Sequence, residues 1–292
     1  MSGGNRGASG NAGKSKAPPP PYYGSFVAFA ERWLLPFVQV RLGEANREQT
    51  YTWCSRWWSH RAVAVRVAHL HSAFEASRIA TDAGAFSSFC LDHVDPHIRY
   101  IMDAANGPLH RCNRSKHVPS TGLPADPVPP GWFGQLPTTV PESTDGQEDE
   151  PPLVRFANYV DFTEQWLLPV ISVRLVGKGR EGGYTWCRQW WRHRSVVLRI
   201  AALHTVFEAS RRSDDRKAMS ILFTRHIDRH MSSILDAAKG PLHRCTPDSH
   251  DEVAGLPFAS VPLGWFAPDA LVPVEDRGFG PDYTHLRERP SA

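Results

Sequence analysis

The chain repeats itself at one fixed offset, so any fold it adopts must satisfy the same pattern twice. Glu31-Arg-Trp-Leu-Leu-Pro36 returns as Glu164-Gln-Trp-Leu-Leu-Pro169. Tyr51-Thr-Trp-Cys returns as Tyr184-Thr-Trp-Cys, Phe74-Glu-Ala-Ser-Arg78 as Phe207-Glu-Ala-Ser-Arg211, and Gly131-Trp-Phe133 as Gly264-Trp-Phe266. The separation is 133 residues in every pair, with no insertion between them. Two copies are too few for a solenoid, and each is long enough to hold a core of its own. The expected organisation is a disordered tail at 1–24, modules at 25–133 and 158–266, an acidic Pro-containing linker at 134–157, and a C-terminal tail at 267–292.

Inside each copy the apolar spacing is helical. Phe26, Phe29, Trp33, Phe37 and Val40 fall three or four apart, as do Val63, Val67, Leu70 and Phe74 with their counterparts Val196, Ile200, Leu203 and Phe207. A third helix is expected over about 86–102. Pro36 predicts a kink or a restart, and Asp95-Pro96 predicts a break that Asp228-Arg229 would avoid. The fold class is therefore mainly α: two homologous small helical domains, each of about three helices. An irregular Pro-rich C-terminal hook closes each one, and its Trp is expected to pack back on the helices.

Charge excludes little but weakens one class. The net charge is +3. Copy one carries 11 basic and 9 acidic residues, and copy two carries 15 and 11. Neither is the strong basic footprint that phosphate backbones select. No apolar run approaches the roughly 18 residues of a membrane helix, so no membrane partner is expected. No secretory signal is visible, and five widely spaced Cys do not make a disulfide scaffold. A cytoplasmic location follows as the expectation.

The two copies can be compared with each other. All ten Trp are paired, as are twelve of the fourteen His and four of the five Cys, while charges have drifted. Packing explains retained Trp, but retained His and Cys point to a metal. His93 and His97 share one helical face, and Cys112 and His117 follow, giving His-x3-His-x14-Cys-x4-His; His226, His230, Cys245 and His250 repeat it. Such a set suits one structural Zn2+ per module, stapling the hook to the third helix. His110 and His243 compete as ligands, Cys54 with His60 and Cys187 with His193 offer another half-site, and hydrogen-bonded packing is the plainer alternative.

A second candidate is the Trp-Cys-x2-Trp-Trp-x-His-Arg segment. Trp57, Trp58 and Arg61, with Trp190, Trp191 and Arg194, could stack on bases or hold a peptide. They could equally lock the start of the second helix into the core. Catalysis is poorly supported. His93-x-Asp95-x-His97 resembles a nuclease metal site, but Asp95 leaves the helix in another direction.

Trp-Leu-Leu-Pro, Trp-Cys-x2-Trp-Trp-x-His, His-x-Asp-x-His, Gly-Pro-Leu-x-x-Cys and Pro-Pro-Gly-Trp-Phe, in that order, resemble Domain of Unknown Function 4913 across both copies. The resemblance implies an actinobacterial, mobile-element setting and brings no activity with it. The reading that follows is a non-catalytic binding or adaptor protein with a protein partner, an accessory factor of such an element. A nucleic-acid binder using the Arg/Trp segment stands second, and a metal-dependent hydrolase third.

Overall fold

A computed structural model describes residues 19–43, 50–134, 154–255 and 257. Each module is built from three helices, and the described residues form no strand. In the first module, α1 spans 26–37, α2 is Arg61–Arg78, and α3 spans 85–102. Their counterparts are α4 at 159–170, α5 at Arg194–Arg212, and α6 at 218–235. The mainly helical, duplicated fold read from the sequence is what the chain adopts.

The first and third helices of each module carry a π-helical turn in the middle, at Ala30–Leu34, Phe89–Val94, Thr163–Leu167 and Leu222–Ile227. In α1 the wider turn ends two residues before Pro36, which follows without ending the helix. Proline lacks the N–H that an α-helical bond would use and crowds the carbonyl four residues back. The π turn moves the hydrogen bonds to a five-residue spacing, as from Leu35 N–H to the Ala30 carbonyl. Proline is not required for this, because α6 has the same π turn with Arg229 where α3 has Pro96. The break expected at Asp95-Pro96 is absent, and α3 continues to Met102.

Ser25 and Asn158 cap α1 and α4 through their side-chain oxygens. The chain just before each cap is pinned by a buried carboxylate. Glu75 accepts the backbone N–H groups of Tyr22 and Tyr23, and Glu208 accepts those of Arg155 and Phe156. Burial pushes the Glu75 carboxyl up, but the donors of Tyr22, Tyr23 and Arg78 outweigh it and hold it below its usual range. Tyr22 and Tyr23 thus belong to the module rather than to the tail; residues 1–18 lie outside the described residues.

The modules do not hang apart on a linker. Both fall within one compact unit that ends at Val253, although 135–153 of the proposed linker lie outside the described residues. Helix α2 packs its outer face on the second module. Val65 meets that module's core, and Arg66 binds the Asp228 carboxylate through both guanidinium nitrogens. Arg66 is fully buried, its guanidinium 3.7 Å from the Tyr100 ring and 4.6 Å from the Phe223 ring.

The hook of the first module also crosses over, where the sequence reading had it folding back on its own helices. Leu123 N–H donates to the Leu168 carbonyl, Asp126 N–H to Arg188, and the Trp186 indole to the Pro124 carbonyl. Trp132 donates its indole N–H to Trp191, and the Phe133 ring lies against Tyr159 and Trp190. Gly122 is needed for this approach, since a Cβ there would stand 2.2 Å from the Leu168 carbonyl oxygen. The reason is apolar area: Leu123 of the hook joins Leu168, Trp186 and Trp191 in the buried core cluster of the second module. The corresponding hook at 256–266 lies almost entirely outside the described residues.

Candidate metal centre

Each module gathers two Cys and two His at the end of its helices. Cys54, His60, Cys112 and His117 bring one donor atom apiece within 4.8 Å of one another, and Cys187, His193, Cys245 and His250 do the same. The sequence-predicted set is thereby redrawn. Cys112, His117, Cys245 and His250 are in these clusters; His93, His97, His226 and His230 are not. Cys54 with His60 and Cys187 with His193, weighed only as another half-site, take their places.

Local structure explains the convergence. Cys54 precedes a 3-10 turn at Trp57–Ser59, which delivers His60 to the position just before α2. That position usually holds a side chain that caps the helix. His60 makes no cap bond, because its Nε2 is turned toward Cys112 Sγ at 3.6 Å. Cys112 arrives from α3 through a turn in which Gly107 lies so close that a Cβ would stand 2.6 Å from the Tyr100 carbonyl. Asn113 then accepts the N–H groups of Ser115 and Lys116 and folds the chain so that His117 comes back. Thr52 ties the two halves, donating its hydroxyl to the Cys112 carbonyl at 2.8 Å, and Thr185 does the same for Cys245.

Two ligand separations in each cluster suit a tetrahedral ion, within a set whose atoms all lie inside 4.8 Å. Zn–S bonds of about 2.3 Å and Zn–N bonds of about 2.0 Å place tetrahedral ligands roughly 3.3–3.8 Å apart. His117 Nδ1 stands 3.4 Å from Cys54 Sγ, and His60 Nε2 stands 3.6 Å from Cys112 Sγ. The second cluster has the same 3.4 Å and 3.6 Å. Supporting contacts are also present. Val118 N–H donates to Cys112 Sγ, Asp251 N–H donates to Cys245 Sγ, and Ser120 Oγ lies 2.9 Å from His60 Nδ1. Such outer contacts fix the orientation of ligands.

Electrostatics agree with a cation site. Burial, followed by the neighbouring His117, pulls His60 down to about 4. Burial and His250 pull His193 to about 4 as well, so both imidazoles are neutral and free to donate a lone pair. Burial pushes the Cys54 thiol up to about 11, and burial with Cys245 pushes Cys187 up to about 12. A divalent cation reverses that preference, because a coordinating thiol loses its proton outright. The set of two sulfurs and two nitrogens is one that zinc takes in closed structural sites.

His93 and His97 serve another contact. They share a helical face as their spacing predicts, and that face is buried against the second module. His93 Nδ1 and His97 Nε2 meet the Ser220 hydroxyl at 2.7 and 3.0 Å, and His97 Nδ1 lies 3.3 Å from Arg66. In the second module His230 Nδ1 lies 3.3 Å from Arg199, and His226 is half-buried. His110 and His243 are taken up by the carbonyls of Gly107 and Gly240.

The six proposed partner-binding residues do not form one surface. A 3-10 turn advances about 120° per residue, so adjacent Trp side chains diverge. Trp57 and Trp190 point into the cores and are buried, whereas Arg61 and Arg194 are exposed. Trp58 is 58% exposed, but Trp191, whose backbone carbonyl accepts the Trp132 indole N–H of the crossing hook, only 6%.

A tandem helical module with one two-Cys, two-His cluster per copy, three of its four residues buried, is thus the class that fold and site define. The chain belongs to the family described as Domain of unknown function (DUF4913), whose model matches residues 23–131 and 156–263. No curated protein and no solved structure matches the chain.

Proposed function

We propose that the chain is a non-catalytic binding protein whose two modules are each locked by one structural zinc ion. The observation that carries this reading is the duplicated convergence of two Cys and two His within 4.8 Å, with two Cys–His pairs in each cluster at 3.4 and 3.6 Å. Cys54 and His60 fix the start of α2, while Cys112 and His117 hold the turn after α3. A zinc ion joining them would add its binding energy to the folding of each module. Four protein ligands close the coordination sphere, whereas catalytic zinc keeps a position open for water. That supports a staple over a hydrolase. Arg61, Arg194 and Trp58 are what remains of the nucleic-acid reading on the surface, against module charges that are nearly balanced. Exposed Phe37, Phe86, Leu91 and Leu198 support an adaptor that engages protein. An accessory role in an actinobacterial mobile element is the setting we assign to it.

The test is metal content of the chain purified without added metal. Two zinc ions per chain are expected, and one after Cys54→Ala or Cys112→Ala. Folded protein free of metal, with Cys54 and Cys112 open to thiol reagents, overturns the reading.

A further inference from the structure

The contact between the modules is not symmetric, and its unused halves match each other. The first module offers Arg66, His93 and His97, and the second receives them with Asp228 and Ser220. Duplication supplies the same polar set again. Arg199, His226 and His230 are the half-buried counterparts in the second module, and Asp95 and Ser87 are the exposed counterparts in the first. Among the described residues neither Arg199 nor Asp95 takes part in an ion pair. Leu198 is 60% exposed, while its counterpart Val65 packs on the other module's core. Phe86 and Leu91, flanking Ser87 and Asp95, are exposed too.

A second observation points the same way. The first hook is hydrogen-bonded to the Leu168 and Trp191 carbonyls and to the Trp186 indole of the second module, and all three residues are buried. Their counterparts Leu35, Trp53 and Trp58 are kept in the first module but are less buried, Trp58 most of all. The hook motif itself is also duplicated, with Gly122-Leu-Pro124 and Gly131-Trp-Phe133 returning as Gly255-Leu-Pro257 and Gly264-Trp-Phe266.

We infer that copies of this chain associate head to tail, the second module of one copy receiving the first module of the next. Arg199 would meet Asp95, and His226 and His230 would meet Ser87. This names a partner for the adaptor role proposed above, a second copy of the chain. Such a heterologous contact leaves one face unused at each end, so it propagates unless a ring closes. The aromatic lining is not fully repeated, since Cys90 stands where Phe223 does and Ser233 where Tyr100 does. The contact between copies is therefore weaker than the one inside the chain.

The experiment is sedimentation of the full chain over a range of concentrations, with charge reversals on exposed Asp95 and half-buried Arg199. The wild-type chain should exceed its 32.6 kDa mass as concentration rises. Arg199→Asp alone and Asp95→Arg alone should each weaken association about a hundredfold, because like charges then meet. Mixing the two variants should restore it, since every contact then pairs Arg with Asp. A chain that stays monomeric at every concentration overturns the inference. So does association that survives both single variants, or that mixing fails to restore, as an isologous dimer would behave. Zinc content measured on the same samples separates loss of this contact from loss of the metal staple.

Discussion

Arg66 in the first module and Asp228 in the second form an ion pair in which the guanidinium is fully buried, with Arg66 Nη1 3.0 Å from Asp228 Oδ2. Burial alone would make the arginine easier to deprotonate, but the Asp228 charge outweighs it and the guanidinium is held more firmly charged than usual. Asp228→Asn leaves that charge without its counterion. Removing one partner of a buried pair costs roughly 3–5 kcal/mol. Urea unfolding should show a loss of this order, and Arg66→Met with Asp228→Leu should recover most of it.

Zinc stoichiometry separates the two possible ligand sets. His60→Ala should reduce two zinc ions per chain to one, and His93→Ala should leave both. A His93 variant that loses one ion would restore the set based on the helical spacing.

Stability should fall in mild acid because of the histidines at the module seam. Burial first, then Arg66, pull His69 down to about 4. Burial, then Arg66, His69 and His93, hold His97 well below its usual value. The unfolded chain takes up these protons near pH 6.5, and the folded chain does not. The contribution is therefore complete above about pH 6.5 and is lost as pH falls toward about 4. For His69 the window amounts to roughly 3 kcal/mol. The unfolding free energy measured against pH should have a shallower slope in His69→Leu.

Gly122→Ala should lift the hook from the second module. The added Cβ would face the backbone of Leu168 and Pro169, which cannot yield as a side chain can. A cost of about 1–3 kcal/mol is expected, with Trp191 becoming accessible to a fluorescence quencher. Unchanged quenching would show that the crossing hook does not cover it.

The sequence disclosed what the two copies share and concealed what differs between them. The helices and half of each Cys/His cluster followed from spacing and pairing. Cys112 and His117 were legible because they lie close in sequence; Cys54 and His60 join them across α2 and α3, and no local period reports such a closure. The spacing of His93 and His97 was read correctly as one face, but the face serves docking. One signal was present: Arg66 sits inside the apolar run Val63, Val67 and Leu70, as Arg199 sits among Val196, Ile200 and Leu203. A charge retained twice in such a stripe demands a buried partner. Trp58 and Trp191 show the limit, since identical residues in repeated sequence differ only through what crosses over them.

The crossing hook also imposes an order on synthesis. Trp132 and Phe133 leave the ribosome before Leu168, Trp186 and Trp191 do. At about 5–20 residues per second, the 58 residues from Phe133 to Trp191 take on the order of 3–12 seconds. For that interval the nascent first module displays an aromatic tail with no surface to receive it. A ribosome-associated chaperone, or a neighbouring nascent chain on the same message, would meet that tail before its own acceptor does.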